Sequence, residues 1–109
     1  MTPPIRGQVY RVDLGHGPKP WVIVSNNVRN RQLDDVLAAR ITTTDKPVLP
    51  TVVRLSSADQ PLVGSILADD IVQLYRDELA TPVGALSPQT LMKLNSALAI
   101  ALALPMSSA

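Results

Sequence analysis

Tyr10, Val12 and Leu14 recur at every second position between residues 8 and 14. That is strand period, and it predicts a β-strand there. Gly15-His16-Gly17-Pro18 follows and reads as a turn. Residues 20–25 (Pro-Trp-Val-Ile-Val-Ser) are a continuous apolar run, read as a central strand. Residues 26–35 are polar and rich in Asn and Arg, which predicts a loop or a short helix. Residues 36–42 read as another strand, closed by Asp45-Lys46-Pro47, and residues 51–55 as a β-branched one. Residues 65–68 and 71–74 predict two short strands around an acidic break, and residues 79–83 a further one that ends at Gly84.

The period then changes. Ser87 is a favourable N-cap and Pro88 suits the first helical position. Leu91, Leu94, Leu98 and Leu102 recur at helical spacing, Met92 and Ile100 are expected to widen the stripe, and Pro105 to stop it. The fold class expected is mainly β with a C-terminal α-helix, a small twisted antiparallel sheet curled toward a barrel. Residues 1–109 are expected to form a single domain, since 109 residues suit one core and contain no repeat or linker.

Composition narrows the function classes. There is no cysteine, hence no disulfide and no thiolate metal site. The first residues hold no apolar signal core, and no stretch reaches the ~20 apolar residues of a membrane span. Net charge is only +1, but it is unevenly spread. Residues 1–54 hold eight Lys/Arg against four acids, and residues 55–109 two against five. Such asymmetry suits a polyanion site built from the first half, although long basic side chains also simply cover strand surfaces.

Lys19 is the most conspicuous cation. It lies in Gly17-Pro18-Lys19-Pro20. Proline fixes its own φ and pushes the preceding residue into extended backbone. The two prolines are therefore expected to hold Lys19 in a stiff loop ahead of the central strand, the kind of restraint a cation needs to meet a phosphate. Its plain alternative is a solvated turn lysine. The donor-rich segment Asn26, Asn27, Arg29, Asn30 and Arg31 offers amides that read base edges and arginines that stack on bases, or else ordinary turn and cap chemistry. Ser25 stands at the strand end, placed to line the same cleft. His16, the only histidine, sits between two glycines and is expected to be an exposed loop residue. Asp69 and Asp70 are adjacent, so in a strand they point to opposite faces, and a paired-carboxylate mechanism is not expected. Trp21 begins an apolar strand and is expected in the core.

Several segments taken in order resemble a known family. Arg6-Gly7-Gln8-Val9-Tyr10 is followed by a turn, then Lys19-Pro20 and an apolar strand ending Ser25-Asn26. Next come Arg40-Ile41-Thr42-Thr43-Thr44, Leu49-Pro50-Thr51-Val52-Val53 and Leu67-Ala68-Asp69-Asp70-Ile71. The series closes on Gly84-Ala85-Leu86-Ser87-Pro88 and an apolar helix. From Arg6 to about Leu104 this order and spacing resembles the MazF/PemK endoribonuclease toxins. The resemblance implies an SH3-like barrel that cleaves single-stranded RNA without metal or cofactor, by attack of the 2′-hydroxyl. It implies Lys19 as the catalytic cation, where the family usually carries arginine, and Thr42 as the hydroxyl beside it. Arg11, Ser25, Asn26, Asn27, Arg29, Arg31, Arg40 and Asp69 are the residues expected to contact RNA. The resemblance further implies a homodimer with RNA crossing the subunit interface, products with a 2′,3′-cyclic phosphate and a 5′-hydroxyl, and a cognate antitoxin whose flexible, partly acidic tail occupies the same groove. A cytoplasmic location is the expectation from the missing signal core and membrane span. Two alternatives stand beside it. A gyrase poison of the same fold depends on an aromatic-containing tail, whereas this chain ends Pro105-Met-Ser-Ser-Ala109. An SH3-like peptide-binding module lines its groove with aromatics, and this chain has three in all.

Overall fold

A computed structural model describes residues 2–105. Six strands form one antiparallel sheet: β1 (Gln8–Asp13), β2 (Pro18–Ile23), β3 (Asp35–Thr42), β4 (Val52–Arg54), β5 (Ser65–Tyr75) and β6 (Pro82–Ala85). Their order across the sheet is β4-β5-β3-β2-β1-β6. Two helices complete the fold, α1 (Asn27–Gln32) between β2 and β3, and α2 (Pro88–Ala101) after β6. Short 3-10 turns occur at Ser57–Asp59 and Arg76–Glu78.

The curled sheet buries both of its faces, which explains the unbroken apolar run in β2. On one face Val9, Val22, Ala39, Ile41 and Ile66 pack with Leu94 and Ala97 of α2. On the other Tyr10, Val12, Trp21, Ile23, Val36 and Leu74 pack with Leu79. Trp21 is a core residue, as its position in the sequence predicts.

Four expectations change. β2 begins at Pro18, so Lys19 lies within the strand and not in a loop before it, paired with Val12 of β1. The acidic break does not divide a strand. β5 runs through it with a bulge, its register to β3 stepping from Ala39↔Ile71 to Arg40↔Leu67. Simple alternation therefore fails for Asp69 and Asp70, of which Asp69 is exposed and Asp70 half-buried. The last strand starts at Pro82, and Leu79 instead fills the core ahead of it. In α2 the buried line is Thr90, Leu94 and Ala97, flanked by Leu91 and Leu98, while Met92, Ile100 and Leu102 face outward. The helix ends at Ala101, before Pro105.

The start of α2 is tied to the 3-10 turn by one carboxylate. Asp59, 1% exposed, accepts from Ser56 N, Ser87 N and Thr90 Oγ1 at 2.8, 2.8 and 2.6 Å. Burial works to raise its pKa. The bonds from Thr90, Ser56 and Ser87 outweigh that and hold it at about 2. Asp59 thus docks the helix that covers one core. Truncating the fully buried Leu94 there to alanine costs about 2–5 kcal/mol.

Candidate active-site cleft

A cleft of about 280 Å³ opens where β2 and β3 part company. Pro18, Lys19 and Pro20 form one wall and Arg40, Ile41 and Thr42 the other, continued by Thr43 and Thr44. Arg11 and Val83 close the β1 side, and Pro61-Leu62-Val63 lies across the far end. Three cations line it and no carboxylate or imidazole does.

The β2–β3 register pairs Ile23 with Ala38, Val22 with Ala39 and Trp21 with Arg40. The ladder stops there, and alternation along each strand puts Lys19 and Thr42, on the two walls of the cleft, on the sheet face that also carries Trp21 and Arg40. Lys19 is exposed and Thr42 is 7% exposed. The Thr42 hydroxyl oxygen accepts from Thr44 N at 3.1 Å, which leaves its O–H to donate. Thr42 is held from behind by Gly64. Gly64 has φ +111°, and a Cβ on it would stand 2.3 Å from the Thr42 carbonyl oxygen. Only glycine allows that approach. The Arg40 Nε is buried without a hydrogen-bond partner among the described residues.

The other sequence-derived contacts are not gathered here. Ser25 lies six residues along the chain from Lys19, roughly 20 Å at strand rise. It is also sealed in, which corrects its placement on the cleft: its hydroxyl donates to Asn30 Oδ1 at 2.5 Å and accepts from Leu37 N at 3.0 Å. Asn26 caps α1 through Arg29 N, and Asn27 accepts from Arg6 N, both at 2.8 Å. Arg29 is committed to Asp35, 2.6 Å away, and its guanidinium holds that carboxyl below the usual range. Arg31 is exposed beside Asn27, at a separate hollow formed with residues 2–5. Asp69 is exposed on the β5 bulge, away from the cleft. His16 is exposed on the β1–β2 turn, which Asp13 braces by accepting from Gly15 N and Gly17 N. Arg6 is half-buried with Nε on the Val24 carbonyl, and burial lowers its pKa.

Sequence reasoning missed the wall formed by Pro61, Leu62 and Val63, and it gave Thr43 and Thr44 no part. The one local signal for that wall is Pro61 and Gly64 bracketing two apolar residues.

The sequence model of the PemK-like, MazF-like toxins of type II toxin–antitoxin systems matches residues 5–102. The chain belongs to this family. It is 53% identical over 105 residues to endoribonuclease MazF1 of Mycobacterium bovis, covering 96% of this chain and 98% of that protein. Endoribonuclease MazF4 of Mycobacterium tuberculosis shows the same identity and coverage. A mycobacterial endoribonuclease solved in complex with its cognate antitoxin superposes with a TM-score of 0.89 at 53% identity, over 95% of this chain and 99% of that one. The MazE–MazF structure from Deinococcus radiodurans has a TM-score of 0.82 at 21% identity, covering 96% and 100%, and shares the fold. The curled antiparallel sheet with a C-terminal helix is the family's architecture.

Proposed function

We propose that this PemK/MazF toxin is a sequence-specific, metal-independent endoribonuclease that cleaves single-stranded RNA by attack of a 2′-hydroxyl on the adjacent phosphate. The observation that carries the reading is the cleft lined by both Lys19 and Thr42, with Arg11 and Arg40 beside them and no acid among the lining residues. Three cations on one surface favour a polyanion. The Lys19 ammonium stabilises charge on the phosphoryl group and supplies a proton to the departing 5′-oxygen, while the 2′-hydroxyl proton passes to solvent water, from which Lys19 is reprotonated. The Thr42 O–H donates to a phosphoryl oxygen, since its acceptor side is engaged by Thr44 N. Arg40, whose Nε lacks a partner among the described residues, and the exposed Arg11 contact the flanking phosphates. The products are a 2′,3′-cyclic phosphate and a 5′-hydroxyl.

Metal independence is supported by the chemistry of the lining: amines, guanidinia and hydroxyls, with no set of three His, Cys, Asp or Glu placed to hold an ion among the described residues. The protein acts as a homodimer with RNA crossing the subunit interface. A cognate antitoxin occludes the cleft with an acidic tail, and the solved antitoxin complex of a 53% identical relative supports this partner. The cytoplasm is the place of action, and no described helix is long and apolar enough to cross a membrane. Residues 106–109, on whose composition the gyrase-poison alternative turns, lie outside the described residues.

The test is incubation of the purified protein with a short, unstructured RNA in excess EDTA. Cleavage yielding a 2′,3′-cyclic phosphate is expected, and mapping the 5′ ends gives the recognition sequence. An RNA left intact in EDTA and cut on adding magnesium or zinc would overturn metal independence. An RNA left intact under both conditions would overturn the activity.

A further inference from the structure

Two prolines two residues apart are unusual inside a strand that has neighbours on both sides. The hydrogen-bond directions explain how β2 accommodates them. Val24 N donates to Leu37 O at 2.9 Å, so even-numbered residues of this strand address β3. Gly7 N donates to Ile23 O at 2.8 Å, so odd-numbered ones address β1. Pro18 and Pro20 are even-numbered. Their missing N–H groups cost the β1 ladder nothing, and that ladder runs intact to Asp13↔Pro18. The whole deficit falls on β3. The β2–β3 ladder ends at Trp21↔Arg40, and the cleft begins at the next residues.

One backbone group bears the consequence. By the same register Pro20 stands opposite Ile41, whose carbonyl points toward β2, as that of Leu37 does. A residue with an N–H at position 20 would bond it. Proline cannot, and no turn N–H or side chain among the described residues donates to it. The carbonyl therefore lacks the ladder donor that a residue with an N–H at position 20 would supply on the cleft wall. The cleft is richer in donors than acceptors: Arg11, Lys19 and Arg40 only donate, and the side-chain acceptors are the hydroxyls of Thr42, Thr43 and Thr44, of which Thr42 already accepts from Thr44 N.

We propose that Pro20 is a positioning residue: by withholding an N–H it keeps β2 from zipping onto β3 and leaves the Ile41 carbonyl free to accept a hydrogen bond from a hydroxyl or amine of the bound RNA strand. The identity of that strand rests on the function proposed above. The wedge itself does not. Lys19 and Thr42 need the gap too, since closing the strands would shut the space in which a phosphate meets both.

The test uses the full chain with Pro20→Ala. Thermal stability does not decide the matter, because removing a proline also loosens the unfolded chain. The decisive readout is amide hydrogen exchange at position 20 in the free protein, read beside cleavage of a short oligonucleotide. The new N–H at position 20 should exchange slowly, like a strand amide, and cleavage should fall at least about tenfold, the equivalent of one hydrogen bond made and one lost. A semisynthetic chain with N-methylalanine at position 20, which again lacks the N–H, should recover cleavage. Fast exchange at position 20 would mean that no bond forms and the wedge is wrong. Slow exchange with wild-type cleavage would mean that the Ile41 carbonyl has no part in the reaction. A folded N-methylalanine protein that stays inactive would assign the effect to the ring and not to the missing donor. Were the wild-type protein itself inert toward RNA, the proposed activity would fall, while exchange at position 20 would still decide whether proline holds the strands apart.

Discussion

Lys19 and Thr42 line one cleft at the open end of β2 and β3, one exposed and the other almost wholly buried. The cleft opens just beyond the last paired residues, Trp21 and Arg40. The ammonium comes from a flexible stem and the hydroxyl from a rigid strand end held by Gly64. A point charge beside a fixed donor is an arrangement that stabilises charge on a phosphoryl group with little reorganisation.

Lys19→Ala should therefore slow RNA cleavage by about 10²–10³-fold, the usual loss for one group that stabilises transition-state charge. The fold should be untouched, because Lys19 is exposed. Lys19→Arg should retain part of the activity, since charge stabilisation survives while proton donation suffers. Single-turnover cleavage of an unstructured oligonucleotide, with circular dichroism as the folding control, measures both. Wild-type rates for the alanine variant would reduce Lys19 to a solvated strand residue.

Thr42 separates hydroxyl chemistry from packing. Thr42→Val keeps the shape but removes the O–H and also the acceptor for Thr44 N. Thr44 is exposed, so water replaces that bond and stability should change by less than about 1 kcal/mol. Cleavage should fall by about 10–100-fold, and Thr42→Ser should keep most of it. An active Thr42→Val with an inactive Thr42→Ser would point to the methyl group, and thus to packing.

Asp59 sets the acid limit of the fold. Its carboxyl titrates near 2 when folded against 3.8 when free. A depressed folded value contributes stability that is complete above pH 4 and is lost as the pH falls through 2. The contribution is at most about 2 kcal/mol. Urea unfolding of the wild type between pH 5 and 2 should show this decline, and Asp59→Asn should be less stable at neutral pH with a shallower slope in that window. An equal slope in the variant would assign the acid sensitivity to other carboxylates.

The fold was largely legible because its signals are local. The alternation around Tyr10 and Val12, the apolar run at 21–24 and the Ser87-Pro88 cap each dictate an element within a few residues. What escaped was long-range. The bulge in β5 depends on how Ala68–Asp70 fit against Ala39 and Arg40, so the acidic pair read as a break. Met92 and Ile100 share helical spacing with the buried line, yet the sheet covers only one side of α2. In the candidate site Lys19 was singled out by the prolines on both sides of it together with the family resemblance, and Thr42 by the resemblance alone. The Asn/Arg segment reads two ways for a physical reason. Amides and guanidinia that recognise bases are the same groups that cap helices and pair with carboxylates, and Asn26 and Arg29 are occupied in those ways.

That distinction can be measured. A cation neutralising one phosphate on a single strand contributes about 0.7 to the magnitude of the slope of log affinity against log salt. Arg11 and Arg40 line the cleft and neither has a salt-bridge partner among the described residues. Replacing both with alanine should reduce the slope by about 1.4. Arg29 is already neutralised by Asp35, so replacing it together with Arg31 should remove at most about 0.7, all of it from Arg31. The Arg29–Asp35 pair is partly exposed and its loss should cost little stability. Binding is measured with an RNA whose 2′-hydroxyl at the cut site is removed, so that cleavage does not confound affinity. A drop of about 1.4 on replacing Arg29 and Arg31, with no change on replacing Arg11 and Arg40, would move the RNA path to α1. The Lys19–Thr42 cleft would then have to be reached from a different direction.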